Sequence, residues 1–318
     1  DCEVTDCTRW AEVQETVNCH AQLAEVLGAP TDFKLLNPLR KHGGSQTFRV
    51  GYGRGGAFFN PLARRRGLPT QRMESALAKS KPAGMTPLPK SIHQVRQEIE
   101  GMVPQLIAEG TKVCLVIATD GSNYNKENLD WLMSEEERNQ ELVQALESLQ
   151  GLPVSVVIRL CTDYEPLVDF YKSLDTMDWN LDVDVLDDHK AEAMEVQAHQ
   201  PWLNYALLLH RMREMGHYHP LLDLLDERPL TPPEIRDFLR LLFGQQHFQE
   251  PYQNTETWAI NLLQELLEIQ ESEQTQSCYW KNPLTNLKEP WINIEQLAYT
   301  LLDDNEEDEE YVGDGLAP

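Results

Sequence analysis

The sequence lacks the features that direct a chain into or across a membrane. No run of 18 apolar residues, no signal-peptide pattern and no Asn-x-Ser/Thr glycosylation sequon occurs among the 318 residues. A helix that spans a bilayer needs about 20 largely apolar residues, and the sequon accepts N-linked glycans in secreted proteins. The six cysteines are few compared with disulfide-rich secreted domains. We therefore expect a soluble intracellular protein without membrane insertion.

Signatures of several large enzyme classes are missing as well. The chain has no P-loop, no G-x-S-x-G nucleophile elbow and no protein-kinase signature set. These absences favour a binding role over catalysis.

Positive charge is scarce after residue 110. The formal net charge is -25; residues 1–110 carry 14 Lys/Arg and 11 Asp/Glu, whereas the remainder carries 13 and 41. An acidic surface repels the phosphates of nucleic acids and the headgroups of anionic membranes. The charge therefore argues against nucleic acid as a partner and leaves protein partners or further copies of the chain.

The stretch Lys112–Ser122, KVCLVIATDGS, organises the rest of the chain. Its residues Val113–Thr119 are apolar or β-branched without alternation, a pattern typical of a parallel strand that is covered on both faces. We expect it to be the most buried strand, with Val154–Leu160 as its parallel neighbour. In open α/β sheets ligands bind at the carboxyl ends of the strands. Asp120, in the turn that ends this strand, is therefore a candidate functional residue.

Helical and strand patterns alternate on both sides of this stretch. They predict helices over 8–27, 70–79, 86–108, 135–150 and 165–174, and strands over 32–36, 46–52, 152–161 and 181–186. The first two strands are expected to pair, as a hairpin or as adjacent strands. From residue 113 onward, the order strand, helix, strand, helix, strand predicts an α/β fold with a doubly wound, mostly parallel sheet.

The sequence from GMTPL at residue 84 through the strand that ends in TDG resembles the second half of a von Willebrand factor type A domain. The resemblance covers about residues 8–187. It rests on the loop, helices and strands, which fall in the family's order. In that family a metal-ion-dependent adhesion site is built at the carboxyl edge of the sheet. Its parts are a DxSxS turn, a Thr in a GxTPL-like loop and the Asp of a TDG-like turn. The resemblance implies Thr86 and Asp120 as metal ligands, with Mg²⁺ as the cofactor.

The DxSxS turn does not occur in this sequence, and the strand that should carry it is missing. In the family that strand lies in the middle of the sheet, where its absence would leave unpaired backbone groups on its neighbours. We expect the native polypeptide to extend upstream of Asp1; the alternative is that another segment fills the position. Two side chains are too few for a hard cation, which takes about six oxygen ligands.

Helical patterns dominate after residue 187. They predict helices over 190–215, 220–225, 232–243 and 257–271, followed by an irregular segment around Trp280 and Trp291 that folds back on the core. This part also contains a His-rich group, His210, Glu214, His217 and His219. These residues are close enough in sequence for a zinc site to be conceivable. The group lacks the HExxH spacing, so we interpret its members as ordinary packing or surface side chains.

Two segments carry opposite charge. Between residues 53 and 82 seven Lys/Arg meet one acid, whereas residues 303–310 contain seven acids in eight positions. The acidic stretch is typical of a disordered or partner-bound tail. The basic segment is either a solvated loop or a docking patch for an acidic surface. Candidate partner-binding residues are Ser122 after the TDG turn and three arginines of the basic segment, Arg64, Arg65 and Arg66.

The sequence thus predicts a von Willebrand factor type A-like domain at 1–189, a helical extension packed on it at 190–300, and an acidic tail at 301–318. The predicted function is protein–protein interaction or scaffolding within a larger assembly. The alternative is a Mg²⁺-dependent hydrolase or phosphoryl-transfer enzyme that uses Asp120, Asp163 and Asp187 at the strand ends. Acids at strand ends also commonly cap the following helix, and this structural role is the one we expect.

Overall fold

The described part of the chain divides into two units. The computed structural model describes residues 9–37, 46–51, 69–78, 86–119, 133–162, 164–217, 219–249, 255–275 and 279–303. The α/β unit comprises the described residues up to Asp187 together with Glu214–Gly216. The helical unit comprises Asp188–Arg213 and the described residues from His217 onward. The predicted acidic tail lies outside the described residues from position 304.

The α/β unit contains a small substructure formed by its first elements. These are α1 (Arg9–Leu27), β1 (Thr31–Lys34), β2 (Thr47–Val50) and α2 (Pro69–Ala78). The strands β1 and β2 are antiparallel, with Thr31 opposite Val50, so the predicted pairing is confirmed. Apolar side chains from both helices and from β2 form a separate small core: Ala21, Ala24, Val50, Met73 and Leu77.

A three-stranded parallel sheet follows, with helices between its strands. The elements are α3 (Leu88–Glu109), β3 (Val113–Thr119), α4 (Glu135–Glu147), β4 (Val154–Leu160), α5 (Glu165–Asp175) and β5 (Asp182–Leu186). The strand order is β3-β4-β5, and both pairings are parallel. The expected mixed α/β class with parallel strands is therefore confirmed. The doubly wound arrangement of the von Willebrand factor type A family stays a prediction.

Local sequence explains where two of these helices begin and end. Ser134 caps α4: its hydroxyl accepts the backbone N–H of Glu137 at 3.2 Å, and the Glu137 carboxylate accepts the N–H of Ser134 at 2.7 Å. This reciprocal capping box satisfies two donors that a helix start leaves unpaired. The C-terminal end of α3 is set by Gly110, which adopts a left-handed φ of 63° that favours glycine. The turn at Gly110 leads the chain directly into β3.

The most buried strand of this sheet is β4, so the expectation that Val113–Thr119 holds that place is wrong. All seven residues of β4 are buried, whereas Val116 of β3 is 37% exposed and Ala118 is exposed as well. The reason is position in the sheet, because β4 has a neighbour on each side and β3 pairs only with β4 among the described strands. The predicted parallel pairing of the two strands is confirmed.

The helical unit is built from short helices around its own apolar core. Its elements are α6 (His189–His199), α7 (Leu207–Glu214, of which the last residue groups with the α/β unit), α8 (Pro220–Asp223), α9 (Pro232–Phe243), α10 (Thr255–Thr275), β6 (Trp280–Lys281), β7 (Lys288–Glu289) and α11 (Ile294–Asp303). Trp202 and Phe238 are fully buried, with ring centroids 5.9 Å apart. Within the described ranges no helix is both long and apolar enough to cross a membrane.

The single helix predicted over 190–215 is interrupted between α6 and α7. The interruption contains Asn204, whose side-chain amide donates to the backbone carbonyls of Trp280, Glu289 and Pro290. Its backbone N–H donates to the carbonyl of Trp291 at 2.8 Å. These bonds tie the irregular segment around the two tryptophans to the helical core, and the bond from the Asn204 N–H to Trp291 takes the place of a hydrogen bond within a helix.

Candidate functional site

The three parallel strands end side by side at the carboxyl edge of the sheet. Thr119 at the end of β3 lies beside Leu160 at the end of β4, and its carbonyl accepts the N–H of Cys161 at 2.8 Å. In open α/β sheets this is the edge at which ligands bind.

Described polar groups at this edge have structural partners. The phenol of Tyr171 on α5 hydrogen-bonds Thr119, and burial raises the pKa of Tyr171 to about 12, so the phenol is neutral at pH 7. The hydroxyl of Thr162 accepts the backbone N–H of Tyr164 at 3.3 Å and shapes the turn into α5. These contacts stabilise the edge and do not provide an acid or a base.

The catalytic alternative requires Asp120, Asp163 and Asp187 to converge on one metal ion. Only Asp187 is among the described residues, and its carboxylate lies 3.9 Å from the ammonium of Lys172 on α5. The next residue, Asp188, caps α6 by accepting the N–H groups of Lys190 and Ala191 at 2.8 and 3.0 Å. The enzymatic alternative stays a prediction, because Asp120 and Asp163 lie outside the described residues.

The resemblance implies two metal ligands, Thr86 and Asp120, and the structure describes Thr86. This residue is half-buried and precedes α3, where its carbonyl accepts the N–H of Leu88 at 2.8 Å. Asp120 lies outside the described residues. So do the predicted partner-binding residues Ser122, Arg64, Arg65 and Arg66. One hydroxyl does not make the six-oxygen shell of Mg²⁺, so the described residues do not fit the ion by themselves and Mg²⁺ stays a prediction.

The strand β3 presents an uncharged surface at the outer side of the described sheet. Its sequence VCLVIAT contains neither a charged residue nor a proline. Successive side chains of a strand point to opposite faces. Ile117 and Thr119 on one face are buried, whereas Val116 and Ala118 on the other face are exposed. The face of β3 that carries Val116 and Ala118 is therefore less covered than the apolar sequence predicts. The edge of β3 that does not face β4 has no neighbouring strand among the described residues.

The opposite outer strand, β5, has a different character. Asp182 and Asp184 alternate with valines along it, and Asp182 is paired with the ammonium of Lys112 at 2.7 Å. Charged side chains on an outer strand discourage pairing with other chains. The two outer strands of the described sheet therefore differ, since β5 carries this protection and β3 does not.

A buried ion pair inside the α/β unit is a feature that the sequence interpretation missed. Arg159 on β4 is buried, and its Nε lies 2.9 Å from one carboxylate oxygen of Glu214. The imidazole Nε2 of His20 on α1 lies 3.7 Å from the other oxygen. Because all three side chains are buried, we interpret this ion pair as structural. The signal was an arginine within an apolar strand, which requires a buried partner for its charge.

Three members of the His-rich group, Glu214, His219 and His210, make separate contacts. Glu214 pairs with Arg159, as described above. His219 caps α8, where its Nδ1 accepts the N–H of Leu221 at 3.3 Å. His210 is fully buried in the helical unit, and its ring centroid lies 5.1 Å from that of His189. These contacts support the interpretation of the group as packing residues.

Three carboxylates of the helical unit lie close together. One oxygen each from Glu192, Glu195 and Asp226 are within 4.8 Å of one another. The guanidinium of Arg213 already lies between two of them, with Nη1 3.1 Å from Glu192 Oε2 and 2.8 Å from Asp226 Oδ2. Glu192 and Glu195 are three residues apart on α6, which places them on one face of the helix. No comparable sequence spacing predicts that Asp226 and Arg213 lie beside this face of α6.

The candidate functional site is therefore defined by geometry: an uncharged, partly exposed strand, β3, beside a fully buried one, β4. The pair of metal ligands that the resemblance implies, Thr86 and Asp120, stays a prediction, because Asp120 lies outside the described residues. No protein-family model, curated protein or solved structure matches this chain, so the resemblance to von Willebrand factor type A domains stays a prediction.

Proposed function

We propose that this chain is a protein-interaction module of the von Willebrand factor type A kind, which binds a partner protein along β3 as part of a larger assembly. One observation carries the proposal. Val116 of β3 is 37% exposed, whereas Val157, opposite it on β4, is 3% exposed. An uncharged strand at the outer side of a sheet is a template for pairing with another polypeptide.

The proposed partner supplies an extended, uncharged segment that adds to the sheet. This segment would bind to the backbone groups of β3 that do not face β4. Each backbone hydrogen bond between the two strands contributes about 0.5–1.5 kcal/mol net. Complete burial of a valine side chain is worth about 1.5–3 kcal/mol, so covering the exposed third of Val116 adds roughly 0.5–1 kcal/mol. Backbone pairing therefore supplies most of the affinity, and the apolar surface selects against charged strands.

The resemblance implies one further strand of the chain's own within the sheet, and this strand would compete with a partner for the side of β3 that does not face β4. The charges on β5, Asp182 and Asp184, make that strand the less suitable neighbour.

The two charged segments of the sequence extend the proposal to a second surface. Arg64, Arg65 and Arg66 on one segment and the acids after Leu302 on the other are proposed to contact complementary charges in the assembly. Such binding weakens as the Debye length falls from about 10 Å at 0.1 M salt to about 3 Å at 1 M. Affinity that changes neither with salt nor with truncation after Leu302 would remove these segments from the proposal and leave β3 alone.

The test compares two matched variants. Val116→Lys places a charge on the exposed face of β3, and Val26→Lys makes the same change at an 82% exposed valine near the end of α1. The partner complex is isolated with the wild-type chain, and each variant then competes for the partner. We expect Val116→Lys to compete about tenfold less well, equivalent to about 1.4 kcal/mol, and Val26→Lys to match the wild type. Circular dichroism checks that both variants are folded.

Hydrogen exchange distinguishes strand pairing from other contacts. Amides of β3 that do not face β4 should exchange rapidly in the free chain and slowly in the complex, whereas β4 amides should be slow in both. Unchanged exchange of β3 on binding, or equal competition by Val116→Lys and the wild type, refutes binding along β3. Slow exchange of the same amides in the free chain would show that this strand is already covered.

A further inference from the structure

We draw no further inference here: the strongest candidate, the group of carboxylates that Glu192, Glu195 and Asp226 form in the helical unit, carries nothing because Arg213 already pairs with two of its members and no second feature of the described residues points to a ligand there.

Discussion

Replacing Gly216 by alanine tests the packing of the α/β unit sharply. Gly216 has a left-handed φ of 71°, and a Cβ added to it would lie 1.9 Å from Sγ and 3.1 Å from Cβ of Cys114 on β3. The next nearest atom, Cγ2 of Val157, would be 3.6 Å away, an ordinary contact. The alanine methyl therefore cannot fit unless the Cys114 side chain or the turn at Gly216 moves.

The expected cost has two parts. A non-glycine residue in the left-handed region costs about 1–2 kcal/mol, and forcing extra volume into a packed interior costs about 1–3 kcal/mol. Gly216→Ala should therefore lower the free energy of unfolding by about 2–5 kcal/mol. Gly151→Ala is the matched control, because Gly151 has a φ of 77° and no atom within 4 Å of the added Cβ. Gly151→Ala should therefore lower the free energy of unfolding by only about 1–2 kcal/mol, the cost of the left-handed backbone.

A double-mutant cycle separates the two parts experimentally. Cys114→Ala removes the sulfur atom and leaves only the 3.1 Å approach to Cβ, so Gly216→Ala should cost less in that background than in the wild type. Free energies of unfolding are measured by urea denaturation, followed by circular dichroism. If Gly216→Ala costs no more than Gly151→Ala, or if Cys114→Ala restores nothing, the close approach of Gly216 to β3 is wrong.

Three further predictions concern single groups. Asp120→Ala should abolish Mg²⁺-dependent partner binding while circular dichroism shows an intact fold; equal binding by wild type and variant, in Mg²⁺ and in chelator, counts against an adhesion-type site. Hydrogen bonds from Arg228 lower the pKa of Glu234 from 4.5 to about 2, so this carboxylate stabilises the helical unit above pH 4.5 and loses its effect as the pH falls through 2. Glu234→Gln should therefore lower the free energy of unfolding in urea by at most about 1 kcal/mol at pH 7, because the ion pair with Arg228 is partly exposed, and leave it unchanged below pH 2; a difference independent of pH contradicts the assignment. Burial raises the pKa of the Cys114 thiol to about 11, so iodoacetamide at pH 8 should label Cys114 far more slowly in the folded chain than in urea, as mass spectrometry would show; equal rates would contradict its burial.

Sequence patterns were sufficient for features that depend on neighbouring residues. The apolar runs at Val113–Thr119 and Val154–Leu160 predicted two parallel strands, and both are present in parallel register. Their relative burial was not predictable from composition, because β4 contains Ser155 and Arg159 whereas β3 has no charged residue, and yet β4 is the more buried strand. Burial depends on whether a strand has one neighbour or two, and that neighbour is contributed by residues far away in the sequence.

The functional residues show the same limit. The carboxylate of Asp187 lies beside Lys172, a contact that no sequence motif indicates, and the helix-capping role belongs to the next residue, Asp188. Arg159 and Glu214 are 55 residues apart, so their pairing could not be read from spacing. Asn204 likewise interrupts a helical pattern because of hydrogen bonds to carbonyls more than 70 residues away.

The pairing of Arg159 with Glu214 has a consequence for how this protein can be rearranged by recombination or by design. The α/β unit is encoded in two pieces, since Glu214–Gly216 belong with it although they follow Asp188–Arg213 in the chain. A gene fragment that stops at Asp187 would deprive the buried guanidinium of this carboxylate, and breaking a buried pair in this way costs about 3–5 kcal/mol. Whole domains are stable by only about 5–15 kcal/mol. An exchange that keeps this buried ion pair must therefore carry Glu214–Gly216 along with the described residues up to Asp187.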